Sequence, residues 1–589
     1  MKKQIIKTLI AMMLLLSVAV GGCSQSSSRE NSSSTHEHSF ENKIVEERYA
    51  KEPASCAKPA QYYYSCECGA VGEKTFSVGV KLQHNYTAQV ASKEYLKSTA
   101  TCQKGAEYYL SCTHCGGKSY KTFRLEELGG HIYDQENADG IYIKEEATVT
   151  SSAVYYKSCI CGLVGTETFT SGDPLREYTD EEKKEYMPTS LTITLYDTET
   201  STYGFTYNTL KKPLRPVIQI AKGETFTDYA EYSAKIEQAT SYTQNDVQFT
   251  YYIVKTEVEL EDSETYTYRA YDKYVDVGSE TATLATKDLD ANTFTFAHVS
   301  DSQARDGAGT EFGVVLSQVV GRNDFILHTG DVVENSKHEI EWEHMLHDNF
   351  AYLSRIPMMA ISGNHETTYK NGSNETYKHF HNKMIKQDTE LGYYYSFVYG
   401  NAKFIMLNTN RLSGTKLTND QYNWLVDELE NNEELWTFVA LHNPLYSAGA
   451  YGSDPSKNAI SVALRKQLQG IFAEYGVDVV LQGHDHLVSR THAIDAEGNP
   501  VKETWETVEG ISYSQDPDGV VYIMCGPAGQ QARVLNENMD ESLYYYAKAS
   551  NACSWSEFAI DGNKLTVTVK YTNGTTVNEY CAWGIEKSA

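Results

Sequence analysis

The sequence predicts a multidomain chain in which three small Cys/His repeats and an all-β sandwich lead into an α/β layered domain. Three patterns carry that expectation. Between residues 38 and 172 the sequence repeats itself with a period of about 46 residues. From 188 to 288 apolar and polar residues alternate in short runs between turns, the pattern of half-buried strands. From 289 to 589 apolar runs are interleaved with helical stretches, which is how stacked helix and sheet layers read. A chain of 589 residues has room for roughly three to five such units.

Asp and Glu number 79 against 51 Lys and Arg, a net charge of -28. That balance argues against a nucleic-acid backbone as partner and suits cation binding. Residues 1–22 read as a signal peptide: Lys2, Lys3 and Lys7 are basic, the apolar stretch 9–20 is too short for a comfortable membrane span, and Gly21 and Gly22 precede Cys23. This resembles a bacterial lipoprotein signal and makes Cys23 the expected lipidation site; an ordinary secretory signal is the alternative. The expected location is extracellular, as a cell-surface lipoprotein of a bacterium held to the membrane by a lipid anchor. Residues 23–37, rich in serine, read as a flexible linker.

The repeats cover about 38–80, 84–128 and 131–172. His38, Cys56, Cys66 and Cys68 in the first match His84, Cys102, Cys112 and Cys115 in the second. The third keeps His131, Cys159 and Cys161, and Val149 stands where its register calls for a cysteine. Each copy has an aromatic before the paired cysteines (Tyr64, Tyr109, Tyr156) and a Thr-Phe pair after them. Units this small bury little core and need a staple. One His with three Cys is an acceptable tetrahedral zinc set, and an odd cysteine count per copy favours structural zinc over pairing within a copy. Disulfides are the rival outside the cytoplasm. The array is expected to be a stalk, a spacer or a binder of cell-wall components.

Residues 173–187 form a charged connector whose 180–185 segment suits a short helix. In the sandwich, strands are expected at 191–196, 215–220, 249–254, 265–270 and 280–286. After Asp288 successive apolar runs end in ligand-type residues. The run 294–300 delivers Asp301 and Gln303, 325–329 delivers Asp331, 357–360 delivers Asn364, His365 and Glu366, 435–441 delivers His442, and 477–482 delivers His484 and His486. Strand ends are where sites are usually built.

The order Asp-x-Gln, Gly-Asp, Gly-Asn-His-Glu, His, Gly-His-x-His resembles the calcineurin-like metallophosphoesterases, and the preceding sandwich points to the purple acid phosphatase-like branch. The resemblance implies an α/β four-layer metallophosphoesterase sandwich after a fibronectin/Ig-like β-sandwich. It implies one metal on Asp301, Gln303, Asp331 and His486, and a second on Asp331, Asn364, His442 and His484, with Asp331 bridging. It further implies a metal-bridging hydroxide attacking phosphorus in line, with His365 beside the phosphoryl group as acid. Two departures bear on metal identity: Glu334 stands where the purple enzymes place a metal-bound tyrosine, and Gln303 where many relatives have histidine. Iron, manganese and zinc all stay open, as divalent or mixed-valence pairs.

The function that follows is a dinuclear phosphomonoesterase acting on a phosphate ester. The alternatives are a phosphodiesterase or nucleotidase on the same site, or a surface binding protein with an inactive phosphoesterase domain. Specificity is expected from loops 410–415, 446–457 and 495–519, with 447–452 as a mobile flap and Tyr446, Tyr451, Trp505 and Tyr513 as candidate stacking residues. His379 and His381 are expected on a helix after the 361–366 stretch, with a surface role, the alternative being an approach to the substrate. Asp485 is expected to support its neighbours or face solvent, and Cys525 to pack in the core. The chain is expected to close with two strands, 558–560 and 565–569, joined at Asp561 and Gly562.

Overall fold

The computed structural model describes residues 37–100, 105–125, 130–159, 162–244, 247–305, 310–367, 376–383, 394–453, 459–529, 533–550 and 552–588. The signal peptide, Cys23, Cys102 and Cys161 lie outside the described residues. Among the described residues no helix is long and apolar enough to cross a membrane.

The chain divides into two compact units, Met1–Asn85 with Cys112–Gly116, and Tyr86–Ser111 with Gly117–Ala589. In the first, Ala50–Glu52, Ala60–Ser65 and Val71–Val78 form an antiparallel sheet. Its core is small: Tyr49, on a tight turn before the sheet, is buried with Cys66 and Phe76. In the second unit the same three-stranded arrangement recurs at Leu96–Ser98, Glu107–Ser111 and Lys118–Arg124, and at Ile143–Glu145, Ala153–Ser158 and Val164–Ser171. The Thr-Phe pair of each copy puts its ring against a tyrosine of the neighbouring strand: Phe76 on Tyr62, Phe123 on Tyr108, Phe169 on Tyr155.

The connector is a helix, Asp180–Tyr186, started by a reciprocal cap in which Thr179 and Glu182 satisfy each other's backbone N–H. Two antiparallel sheets follow. One orders its strands Thr189–Asp197, Thr202–Thr209, Val247–Glu259, Lys235–Gln244; the other Ala230–Ser233, Pro216–Lys222, Thr265–Asp272, Val277–Gly278, with Ala282–Ala285 also on Thr265–Asp272. Their inner faces meet, Phe205 edge-on to Tyr268 at 5.2 Å between ring centres.

The α/β domain stacks two mixed sheets, and its strands are numbered from here. They are β1 Thr293–Val299, β2 Phe325–His328, β3 Met358–Ala360, β4 Tyr395–Tyr399, β5 Ala402–Met406, β6 Trp436–Leu441, β7 Val479–Gln482 and β8 Leu487–Thr491. The remainder are β9 Thr504–Val508, β10 Ile511–Gln515, β11 Val521–Cys525, β12 Tyr544–Ala549, β13 Cys553–Asp561, β14 Lys564–Thr572 and β15 Val577–Glu586. One sheet runs β3-β2-β1-β13-β14-β15-β10-β9, the other β4-β5-β6-β7-β11-β8-β12. Alternation sorts the side chains: Phe296, Leu327, Met359, Phe404, Phe438 and Leu481 fill the space between the sheets. On the outer faces Val299, Ile326 and Ala360 meet the helix Thr310–Val319 and Trp342 of Glu339–Leu346. Likewise Val439 and Val480 meet Leu425 of Asn419–Glu430 and Leu468 of Ala459–Glu474. The result is helix, sheet, sheet, helix.

Two expectations need correction. The chain closes with three strands, because 577–586, polar and exposed in its first half, turns Trp583 and Ile585 into the core as β15. The excursion 495–519 is not a loop over the site: β9 and β10 form a hairpin beside β15, at the opposite edge of the sheet from β3.

Candidate metal centre

Strands β1, β2, β3, β6 and β7 end together, and the residues just past them are held in an unusual backbone state. Asp301, Gln303, Asp331, His484 and His486 have φ of 53°, 40°, 53°, 77° and 40°. Side chains in this left-handed region cost about 1–3 kcal/mol each and persist where surrounding contacts over-determine them. Those contacts are visible. Asp301 N–H donates to Gly330 O at 3.0 Å, Gln303 N–H to Asp331 O at 3.0 Å, and Gly529 N–H to Asp301 O at 3.1 Å. Gly363 is required by closeness, since a β-carbon there would run into the Asp331 carboxylate and amide.

Donor atoms of Asp331, His442 and His484 lie within 4.8 Å of one another, as do those of Asp301, Asp331 and His486. Asp331 belongs to both groups. His442 gives its Nδ1–H to Thr329 O at 2.8 Å, so Nε2 turns to Asn364 Oδ1 at 3.1 Å and Asp331 Oδ2 at 3.3 Å. Three electron-rich atoms then meet with room for a cation. Burial opposes charge on His442, but Asp331 and Asp301 outweigh it and push the imidazole up to about 9. Burial keeps His484 neutral, down to about 3. Gln303 Oε1 is buried with no hydrogen-bond partner, an acceptor in want of a positive partner. Carboxylate and amide oxygens with imidazole nitrogens fit borderline-to-hard divalent ions.

His365 is half-buried at the mouth. Its Nδ1–H is fixed on Glu334 O at 2.6 Å, and Nε2 faces Gln303 Nε2 at 3.2 Å and Asp331 Oδ2 at 3.8 Å. Burial works against the charged ring, but Asp331 and Glu334 outweigh it and hold His365 above the ordinary histidine value.

Glu366 had no role in the sequence reading. It is fully buried, and its carboxylate accepts the N–H groups of Gly363 at 2.7 Å, Asp331 at 2.9 Å and Val333 at 3.2 Å, tying two ligand loops together. Burial, then repulsion from Asp331, pushes its pKa up to about 7. His328 braces another pair of loops, giving Nε2–H to Ser302 Oγ at 2.9 Å and taking Gly330 N–H on Nδ1 at 3.1 Å.

Other expectations shift. Asp485 is buried, accepting from Ser447 Oγ–H and from Tyr451 N–H. Ser447 and Ala448 are buried with it, so this part of 447–452 is an anchored segment instead of an open flap. Of the four aromatics only Tyr451 reaches the site, edge-on to His484 at 4.5 Å. Tyr446 is buried with its hydroxyl on Gln469, Tyr513 bonds Thr566, and Trp505 stacks on Tyr545. His379 is core, stacked on Trp342 and 2.9 Å from Glu339, while His381 pairs with Glu257 at 2.9 Å. Cys525 is fully buried, and burial holds its thiol well above the ordinary value, as packing requires. Arg533, which no motif flagged, lies over Tyr451 at 4.7 Å with its N–H on His486 O.

Residues 294–488 match the calcineurin-like phosphoesterase family, so the chain contains a domain of that class, and its homologues include purple acid phosphatases. Purple acid phosphatase 15 of Arabidopsis thaliana is 26% identical over 195 residues, 32% of this chain and 32% of the relative. Human acid phosphatase type 7 is 26% identical over 238 residues, 36% of this chain and 50% of the relative. The matched stretches thus span a third to a half of these relatives' own length. Among solved structures, purple acid phosphatase PPD1 from yellow lupin seeds superposes with a TM-score of 0.55 at 15% identity, covering 68% of this chain and 75% of that one, a likeness of fold.

Proposed function

We propose that the chain is a dinuclear metal-dependent phosphoesterase that hydrolyses phosphate monoesters. The observation that carries this reading is Asp331, whose carboxylate belongs to both donor groups. In this reading Asp301, Gln303, Asp331 and His486 hold one ion, and Asp331, Asn364, His442 and His484 the other. Two such ions, when bound, supply Lewis acidity and a water acidic enough to act as nucleophile near neutral pH. The chain's residues do the rest. Glu366 and His328 keep the ligand loops in register. His365, oriented by Glu334 O, offers Nε2 at the mouth as proton donor to the leaving oxygen. Arg533 holds a positive charge at the rim beside His484, suited to the doubly charged phosphate of a monoester. The same reading carries export with it, through residues 1–22 and Cys23.

The test is hydrolysis of an aryl phosphate monoester against the matching diester by the full metal-loaded chain, with metal analysis. The monoester is expected to be the better substrate, and Asp331→Ala to lose both ions and turnover. A metal-loaded protein inert toward both esters, or turnover surviving Asp331→Ala, overturns the reading.

A further inference from the structure

The N-terminal cysteines are grouped across copies of the repeat. Cys56, from the first copy, sits with His84, Cys112 and Cys115 of the second, their donor atoms within 4.8 Å of one another; His38, Cys66 and Cys68 form a separate group of three. The within-copy set that joined His38 with Cys56 in the sequence reading is corrected accordingly, while Cys102, expected with His84, lies outside the described residues. The four donors of the larger group fall in one compact unit of the chain.

The distances identify the chemistry. Cys56 Sγ and Cys112 Sγ are 3.7 Å apart, and Cys115 Sγ is 3.4 Å from His84 Nδ1. Zinc–sulfur bonds of about 2.3 Å and zinc–nitrogen bonds of about 2.0–2.1 Å, at tetrahedral angles, set edges of roughly 3.8 Å between two sulfurs and roughly 3.6 Å between sulfur and nitrogen. A disulfide would need its sulfurs about 2.05 Å apart and has no use for a third thiol and an imidazole. The backbone N–H groups of Asn85 and His114 both point at Cys112 Sγ from 3.4 Å, donors that favour a thiolate. Cys56 and Cys112 are buried, His84 and Cys115 exposed.

The geometry points to a structural zinc site shared between adjacent copies, in which the first cysteine of one copy completes the His-Cys-Cys set of the next. The arrangement accounts for two irregularities. The first copy has no predecessor, and among the described residues its set stops at three donors. In the third copy a cysteine at 149 would serve a fourth, and no fourth follows in the sequence; Val149 lies exposed there. In sequence, Cys102 precedes His131, Cys159 and Cys161 by nearly the spacings that separate Cys56 from His84, Cys112 and Cys115. Metal at such sites links copies in series, so its removal unlinks the array.

The test uses the full chain loaded with cobalt(II) in place of zinc. Thiolate-to-cobalt charge transfer reports on the repeats alone, because the proposed catalytic donors include no cysteine. On a Cys66→Ser/Cys68→Ser/Cys159→Ser/Cys161→Ser background, which leaves the Cys56, Cys112 and Cys115 site alone, the band is expected to persist, and adding Cys56→Ser to cut its intensity by about a third, three thiolates becoming two. An unchanged band after Cys56→Ser overturns the proposal. As a second measurement, His84→Ala in the zinc-loaded chain is expected to open Cys56 to alkylation, read by peptide mass mapping. Cys56 staying protected places it with His38 and overturns the sharing. A chain without any thiolate band, carrying a Cys56–Cys112 disulfide by the same mapping, overturns the metal.

Discussion

Glu366 shows what a single buried residue contributes to a site it does not line. Its carboxylate answers three N–H groups of the ligand loops, and each would otherwise be an unsatisfied donor in the interior. An orphaned buried donor costs about 1–3 kcal/mol, so Glu366→Ala is expected to cost on the order of 3 kcal/mol or more and to weaken metal binding, since Asp331 and Asn364 ride on those loops. Glu366→Gln keeps one oxygen, sited for Asp331 and Gly363, and should lose much less. Urea unfolding of the metal-free variants checks the order; equal losses in both would show that charge, not the acceptor, is what matters. The sequence made Asp331, His442, His484 and His486 visible because ligand residue types closed successive strands. It placed Glu366 beside the ligands without a role for it and gave no sign of Arg533, because what both do depends on contacts with loops distant in the chain.

At the scale of elements, the hairpin β9–β10 was misjudged for a physical reason. Trp505 and Tyr513 looked like stacking residues for a substrate, yet Trp505 has a partner inside the fold. Arg490 of β8 is fully buried, with its guanidinium 5.2 Å from the Trp505 ring centre, 4.7 Å from Tyr545 and 4.5 Å from Trp583, and 3.0 Å from Glu503. These residues come from both sheets, so the cation closes the seam at the edge away from β3. Removing one member of a buried pair leaves the other uncompensated, and Glu503→Gln is expected to cost about 3–5 kcal/mol at neutral pH. The pH dependence has a definite sign. Burial raises the Glu503 pKa, but Arg490 outweighs it and the folded value lies below 4.5. The stabilisation is therefore complete above about pH 4.5 and drains away as pH falls further. Wild type should lose stability along that acid limb more steeply than Glu503→Gln in urea melts followed by tryptophan fluorescence. Parallel acid limbs would show that the pair is not the cause. Periodicity revealed the strands with long apolar runs, such as β1 and β6; it missed β9, β10 and β15, whose outer positions are polar.

Over the whole molecule, the two antiparallel sheets of 189–285 read as a separate sandwich in sequence, yet they share a core with the α/β domain. Leu191, Phe205 and Tyr268 belong to the same buried cluster as Phe296, Met359 and Phe438. Polar contacts cross the same join: Thr192 Oγ1–H donates to His379 O at 2.8 Å, Tyr268 O–H to Ser354 O at 2.7 Å, and Lys255 Nζ to Tyr377 O at 2.7 Å. Alternation in the sequence could delimit the sheets, but not reveal that His379 and Met359, far along the chain, cover them. Elements that share a core open together, so a ligand that stabilises one end should protect the other. Metal at one hundred times its dissociation constant contributes about 2.7 kcal/mol, or ~100-fold in the rate of exchange through global opening. Adding metal to the chelator-stripped chain is expected to slow amide exchange by that factor at 296–299, beside the site. The same factor should appear at 253–258, in the middle of the preceding sheet. If the amides at 253–258 kept their metal-free rates while those at 296–299 slowed, the sheets would be an independent domain, and the shared core would count for little in the energetics of folding.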